Sequence, residues 1–132
     1  MGTRNHPIRS NQPCFVTAVT RNREPIFGNS QAAELFLTEL GRLREKLEFA
    51  LLGYVVMPDH IHVVIVPSPI ASLSSIMQAV KGRFSRLWNS QSERDGALWQ
   101  SRYYESAVRT EEQLIRWLEY VAHNPIRAGL AS

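Results

Sequence analysis

One cysteine in 132 residues, Cys14, excludes a disulfide framework and a thiolate metal cluster within the chain. No apolar run approaches the roughly 18 residues that span a bilayer. The first stretch, MGTRNHPIRSNQP, is polar and broken by prolines and does not read as an export signal. A cytoplasmic setting and no membrane partner are therefore expected. Repeats, low-complexity tracts and long Gly/Ser linkers are missing too. What remains is one domain of ordinary size, able to build a core without staples. Residues 1–13 are expected as a flexible tail and residues 14–132 as a single folded unit. Charge of either sign is modest, with a net +3 at pH 7, which favours an anionic partner without naming one.

What is present is a regular succession of short elements. CFVTAVT, from Cys14 to Thr20, is β-branched and bounded by Pro13 and the polar RNRE, the pattern of a strand. SQAAELFLTELGRLREKLE carries Leu35, Phe36, Leu40, Leu43 and Leu47 at helical spacing, with Ser30 as the expected N-cap. FALLGYVVM and IHVVIV read as two strands joined by PDH, where Pro58 and Asp59 supply turn chemistry. LSSIMQAVKGRFSRLWN is a second amphipathic helix, and SRYYESAV, from Ser101, is a fourth strand. A last helix begins after Thr110, its expected cap, with Glu111 and Glu112 at the positive end of the dipole and Leu114, Ile115 and Leu118 forming an apolar ridge. Without that last helix the order is βαββαβ. The expected fold is α+β and ferredoxin-like: a split βαβ with an antiparallel sheet, helices on one face and an added C-terminal helix.

His60 and His62 interrupt the apolar run YVVMPDHIHVVIVP. Residues two apart on a strand share a face, so the two imidazoles stand side by side while Ile61 points the other way. Such a pair suits one divalent cation. By itself an arbitrary His-x-His in a strand reads first as strand-end residues, partly solvated and held by hydrogen bonds. On the last helix Tyr120 and Asn124 are four apart and share a face. Each also has a plain reading, Tyr120 as a packed tyrosine and Asn124 as the residue at which Pro125 ends the helix.

Taken in order, YVVMPDHIHVVIVP, SSIMQAVKGRFSRLWN, LWQSRYYESAV and YVAHNPIRAGL resemble the single-tyrosine HUH transposases of small bacterial insertion sequences, and within them the REP-associated tyrosine transposases. The resemblance runs from residue 14 to residue 130. It implies that Tyr120 is the nucleophile, that His60 and His62 bind a metal, and that Asn124 stands at the third ligand, where some members carry glutamine. His123 is the alternative, although it points about 100° away from Asn124 around the helix. The implied reaction is metal-dependent cleavage and rejoining of single-stranded or hairpin DNA, with Mg²⁺ or Mn²⁺ and a 5′-phosphotyrosine intermediate. Relatives act as monomers or as dimers with shared active sites, so a homodimer is among the expected states.

Lys81, Arg83, Arg86, Arg102 and Arg127 are the candidate DNA contacts, with Tyr103 and Tyr104 beside them as rings able to stack on unpaired bases. Arg127 can equally cap the last helix. Trp88, Trp99 and Trp117 are expected in the core. Two other functions fit the same residues: a nickase that does not rejoin strands, and a domesticated protein that holds DNA hairpins without cutting them. An RNA-reading sheet needs exposed aromatics on its central strands, and FALLGYVVM offers only Phe49 and Tyr54.

Overall fold

The computed structural model describes residues 12–122. Its elements are β1 (Cys14–Thr20), α1 (Ser30–Leu47), β2 (Ala50–Met57), β3 (His60–Val66), α2 (Leu73–Ser92), β4 (Trp99–Ala107) and α3 (Glu111–Ala122), with two short 3₁₀ turns between β1 and α1. The strands form one sheet in the order β2-β3-β1-β4, and every neighbouring pair is antiparallel. β3 therefore lies between β1 and β2, which run the same way. That is the expected split βαβ, with α3 as the addition. Most of the expected tail, residues 1–11, lies outside the described residues, as do His123, Asn124 and Arg127. Among the described residues no helix is long and apolar enough to cross a membrane.

Strand alternation decides what each face holds. Cys14, Val16 and Ala18 of β1 and Ile61, Val63 and Ile65 of β3 face α1 and α2, where they join Phe36, Leu40, Ile76, Met77, Val80 and Phe84 in the main core. Phe27, Phe36, Phe84 and Trp99 interlock there, with Trp88 stacked on Phe84. The cap of α1 differs from expectation: it is Asn29, whose side chain accepts from the amides of Gln31 and Ala32 at 2.8 and 3.3 Å. A cap needs extended backbone. Asn29 has it, at φ −85° and ψ 122°, whereas Ser30 is already helical. Thr110 caps α3 as expected, accepting from the Gln113 amide at 3.0 Å. Gln113 reaches back to accept from the Arg109 amide at 2.8 Å, a near relative of the reciprocal capping box.

One carboxylate is buried between the helices. Glu39 of α1 is 3% exposed and takes Arg83 Nε of α2 at 2.5 Å and Arg42 Nη1 at 3.2 Å. A buried acid needs such partners, because stripping its water without replacement is costly. Arg83→Ala is expected to destabilise the fold by about 1–3 kcal/mol, since the remaining partner, Arg42, is largely solvated. A urea melt reads this as a lower midpoint with an unchanged slope. Adding Glu39→Leu to that variant should recover part of the loss, because the orphaned charge goes with it.

Candidate active site

His60 and His62 open β3 and project from the face opposite the main core. The register puts Thr17 of β1 and Val55 of β2 beside His62, and Val19 and Met57 beside His60. The two rings lie 4.8 Å apart between centroids. His62 Nδ1 is 2.9 Å from the Thr17 hydroxyl. That hydroxyl can accept or donate, so the ring is free to present a lone pair at Nε2. Burial, and then the neighbouring His60, pushes the His62 pKa down to about 4. The ring therefore stands neutral at physiological pH, the form that ligates a metal.

His60 is oriented from the turn before it. Its Nδ1 donates to Asp59 Oδ1 at 2.7 Å, because a carboxylate can only accept. Asp59 Oδ2 takes Arg23 Nη1 at 2.8 Å. The His60 hydrogen bond, with Arg23 behind it, holds the Asp59 carboxyl below the usual carboxylate range. The turn itself is tied down by Thr20, whose amide donates to the Asp59 carbonyl at 2.9 Å and whose hydroxyl proton is shared between the carbonyls of Glu24 at 2.8 Å and Asp59 at 3.0 Å. Phe27 adds a third tie, from its amide to the Pro58 carbonyl at 2.9 Å. Arg23 reaches its position from a backbone φ of 53°, a left-handed conformation that costs a non-glycine residue about 1 kcal/mol. Both imidazoles thus use Nδ1 on the protein, and Nε2 is the nitrogen left for a ligand. A carboxylate and a hydroxyl behind two histidines form the support that fixes ring orientation at metal sites.

The tyrosine arrives from the other end of the chain. α3 crosses this face over β2 and β3 and buries a small second core of Phe15, Val55 and Val64 under Leu114, Trp117 and Leu118. Phe15 is its centre, stacked on Trp117 at 4.2 Å and on His62 at 5.2 Å. Tyr120 sits three residues past Trp117, on nearly the same stripe of the helix. Its ring is 5.6 Å from His62 and 6.3 Å from Phe15 between centroids. At 49% exposure it faces the histidines from one side and solvent from the other. Among the described residues no group of three His, Cys, Asp or Glu stands ready to hold a metal.

The candidate DNA residues divide between the two sides of the sheet. Tyr103 packs against the main core, while Tyr104, which pairs with Thr17 as His62 does, points to the histidine face, and Arg102 is exposed. Lys81, Arg83 and Arg86 belong to α2, on the opposite layer. Lys81 donates to the Gln100 carbonyl at 3.0 Å and lies over the Tyr103 ring, and burial lowers its pKa. Arg83 is engaged by Glu39, and Arg86 is exposed. Trp88 and Trp99 are buried in the main core, and Trp117 packs in the second.

Sequence reasoning missed Thr17, Thr20, Arg23, Asp59 and Phe15 as supports of the site. For Asp59 a signal existed, an acid directly before the first histidine. For Thr17 and Phe15 the signal appears only once the register of β1 against β3 is known.

The chain matches the family model for IS200-like transposases over residues 10–124. It is 25% identical over 125 residues to a Haemophilus influenzae protein assigned as a REP-associated tyrosine transposase, covering 87% of this chain and 70% of that one. With the REP-associated tyrosine transposase of Escherichia coli K12 it shares 23% identity over 116 residues, 87% of this chain and 67% of that protein. Among solved structures, a REP-associated tyrosine transposase bound to a REP hairpin superposes with a TM-score of 0.78 at 22% identity, over 98% of this chain and 75% of that one. That likeness establishes a common fold, and the family match, which takes in both histidines and the tyrosine, goes further: the chain belongs to the IS200-like transposase family.

Proposed function

We propose that the protein is a transposase that cuts and rejoins single-stranded DNA at a hairpin, with Tyr120 as nucleophile and His60, His62 and Asn124 as ligands of Mg²⁺ or Mn²⁺. The observation that carries this reading is the meeting of three rings, His60 and His62 from β3 and Tyr120 from α3. Support for a hairpin substrate comes from the structural relative, which was solved with a REP hairpin bound. Asn124, four residues after Tyr120 in the sequence, holds the third ligand position by resemblance to the family; His123 is the alternative donor.

The donor set fits the metal. Two imidazole nitrogens and an amide oxygen suit Mn²⁺, and Mg²⁺ with more water in its shell. When bound, the cation supplies charge that polarises a phosphate oxygen and aligns the scissile group. The chain's own residues do the rest. Asp59 and Thr17 hold the imidazoles. Phe15 and Trp117 hold α3 so that the Tyr120 hydroxyl meets the phosphorus. A bond forms between Tyr120 Oη and phosphorus as the bond from phosphorus to the 3′ oxygen breaks. The phenol proton ends, net, on the released 3′-OH. The new ester keeps the energy of the old one, so a 3′-OH from another strand can reverse the step and join new ends.

End-labelled single-stranded hairpins incubated with the protein and Mn²⁺, Mg²⁺ or EDTA test this directly. A covalent adduct on a denaturing gel, formed with the cations and absent with EDTA, is expected. Joined products of two labelled strands separate a transposase from a nickase. Retention of hairpins with no adduct under any cation would leave a binding protein instead. Asp59→Asn weakens the hold on His60 and is expected to lower Mn²⁺ affinity about 10–100-fold, as titration calorimetry would read, with the melting temperature little changed.

A further inference from the structure

We propose that Tyr104 is a stacking subsite for an unpaired nucleobase of the DNA strand, separated from the histidine pair by one intervening strand of the sheet. The inference rests on the reading above that single-stranded DNA is the substrate. It names where a neighbouring base goes.

The placement comes from the register. Thr17 pairs with His62 on one side and with Tyr104 on the other. With strands about 4.8 Å apart, the Tyr104 backbone lies roughly 10 Å from that of His62. A nucleotide next to one held at the histidines can span that distance. α3 covers β2, β3 and Phe15 of β1, whereas the cluster beneath it includes no residue of β4. Tyr104 is 63% exposed, the highest value among the large apolar side chains described. Its neighbour Tyr103 is the opposite case, half-buried against the main core beneath Lys81. One tyrosine of the pair is structural and the other is open.

Charge near this face suits an anion. Arg102, two residues before Tyr104 on the same strand, is exposed. Glu105 pairs with Val16, a residue of the main core, so it points to the helical layer. Arg21, exposed where β1 ends, lies by the start of β4, its amide bonded to the Leu98 carbonyl. An aromatic ring open to water, with exposed arginines on the same strand and at the near end of its neighbour, is a combination that can hold single strands, the ring taking a base face and the cations the phosphates.

The test uses the full chain carrying Tyr120→Phe, so that binding is measured without cleavage. A hairpin with a single-stranded flank carries 2-aminopurine at successive flank positions. One position should be quenched on binding, and adding Tyr104→Ala should abolish that quench and weaken affinity about 10–100-fold. Tyr104→Phe should retain both, and a fully paired duplex should bind all variants alike. Unchanged affinity and unchanged quenching in Tyr104→Ala, with its melting temperature preserved, would overturn the inference while the adduct assay still stands. A change in sedimentation on Tyr104→Ala with no change in DNA binding would also overturn it, because the ring would then be meeting a second copy of the chain. No binding to single strands by any form would remove the parent reading, and this one with it.

Discussion

Tyr120→Phe should give no covalent adduct with any hairpin under Mn²⁺ or Mg²⁺, a loss on the order of 10⁴-fold or more, while hairpin retention in a gel shift stays within about twofold. The first half follows from chemistry: phenylalanine has no oxygen to join to phosphorus, and no other hydroxyl among the described residues is placed against His62 in the same way. Thr17 is the nearest, and its oxygen is engaged with His62 Nδ1. The second half follows from packing. The Tyr120 ring makes an edge contact with Phe15 and lies beside His62, and phenylalanine keeps both. Its half-exposed hydroxyl contributes little to the fold. An adduct that survives the substitution would move the nucleophile elsewhere and sink the assignment.

Phe15→Ala is the second large effect, and it acts on the tyrosine from below. Removing a buried phenylalanine costs about 3–5 kcal/mol, and here the loss falls on a small cluster. α3 has 12 described residues, a length at which an isolated helix is marginal in water. Its hold on the sheet is Leu114, Trp117 and Leu118 over Phe15, Val55 and Val64. With Phe15 gone, Trp117 loses its stacking partner and His62 loses one wall. Hydrogen exchange should show α3 amides opening far more readily, with amides of β1 and β3 less affected. Adduct formation should fall more steeply than hairpin binding, because the nucleophile is no longer held against the histidines. Phe15→Leu should restore much of the protection. Equal loss of protection across α3 and the sheet would mean that the second core is not a separate unit.

The sequence carried a good part of this, and the boundary is physical. The order of elements was legible because β-branched runs and helical spacing differ in period, and the order alone implied the sheet. The histidine pair was legible because the residues are two apart on one strand. What surrounds them was not, since Thr17 lies 45 residues from His62 in sequence and meets it only through strand pairing. That Arg83 also braces a buried acid is invisible in the sequence, because its partner Glu39 sits on another helix. Tyr103 and Tyr104 were indistinguishable until alternation assigned one to each side. Asn29 rather than Ser30 caps α1, because a cap is set by backbone angles that adjacent polar residues do not reveal. The assignment of Asn124 stands on resemblance, and Asn124, its alternative His123 and the candidate DNA contact Arg127 all lie beyond the described residues.

β3 has His60, His62 and Val64 on one side and Ile61, Val63 and Ile65 on the other. Single replacements on it can be absorbed by one side or the other. A change in its length cannot: inserting or deleting one residue before Ile61 would turn imidazoles into the core and isoleucines toward the tyrosine in a single event. The strand is free to drift in composition and closed to drift in register, and the tied-down turn at Pro58 and Asp59 is what keeps the count.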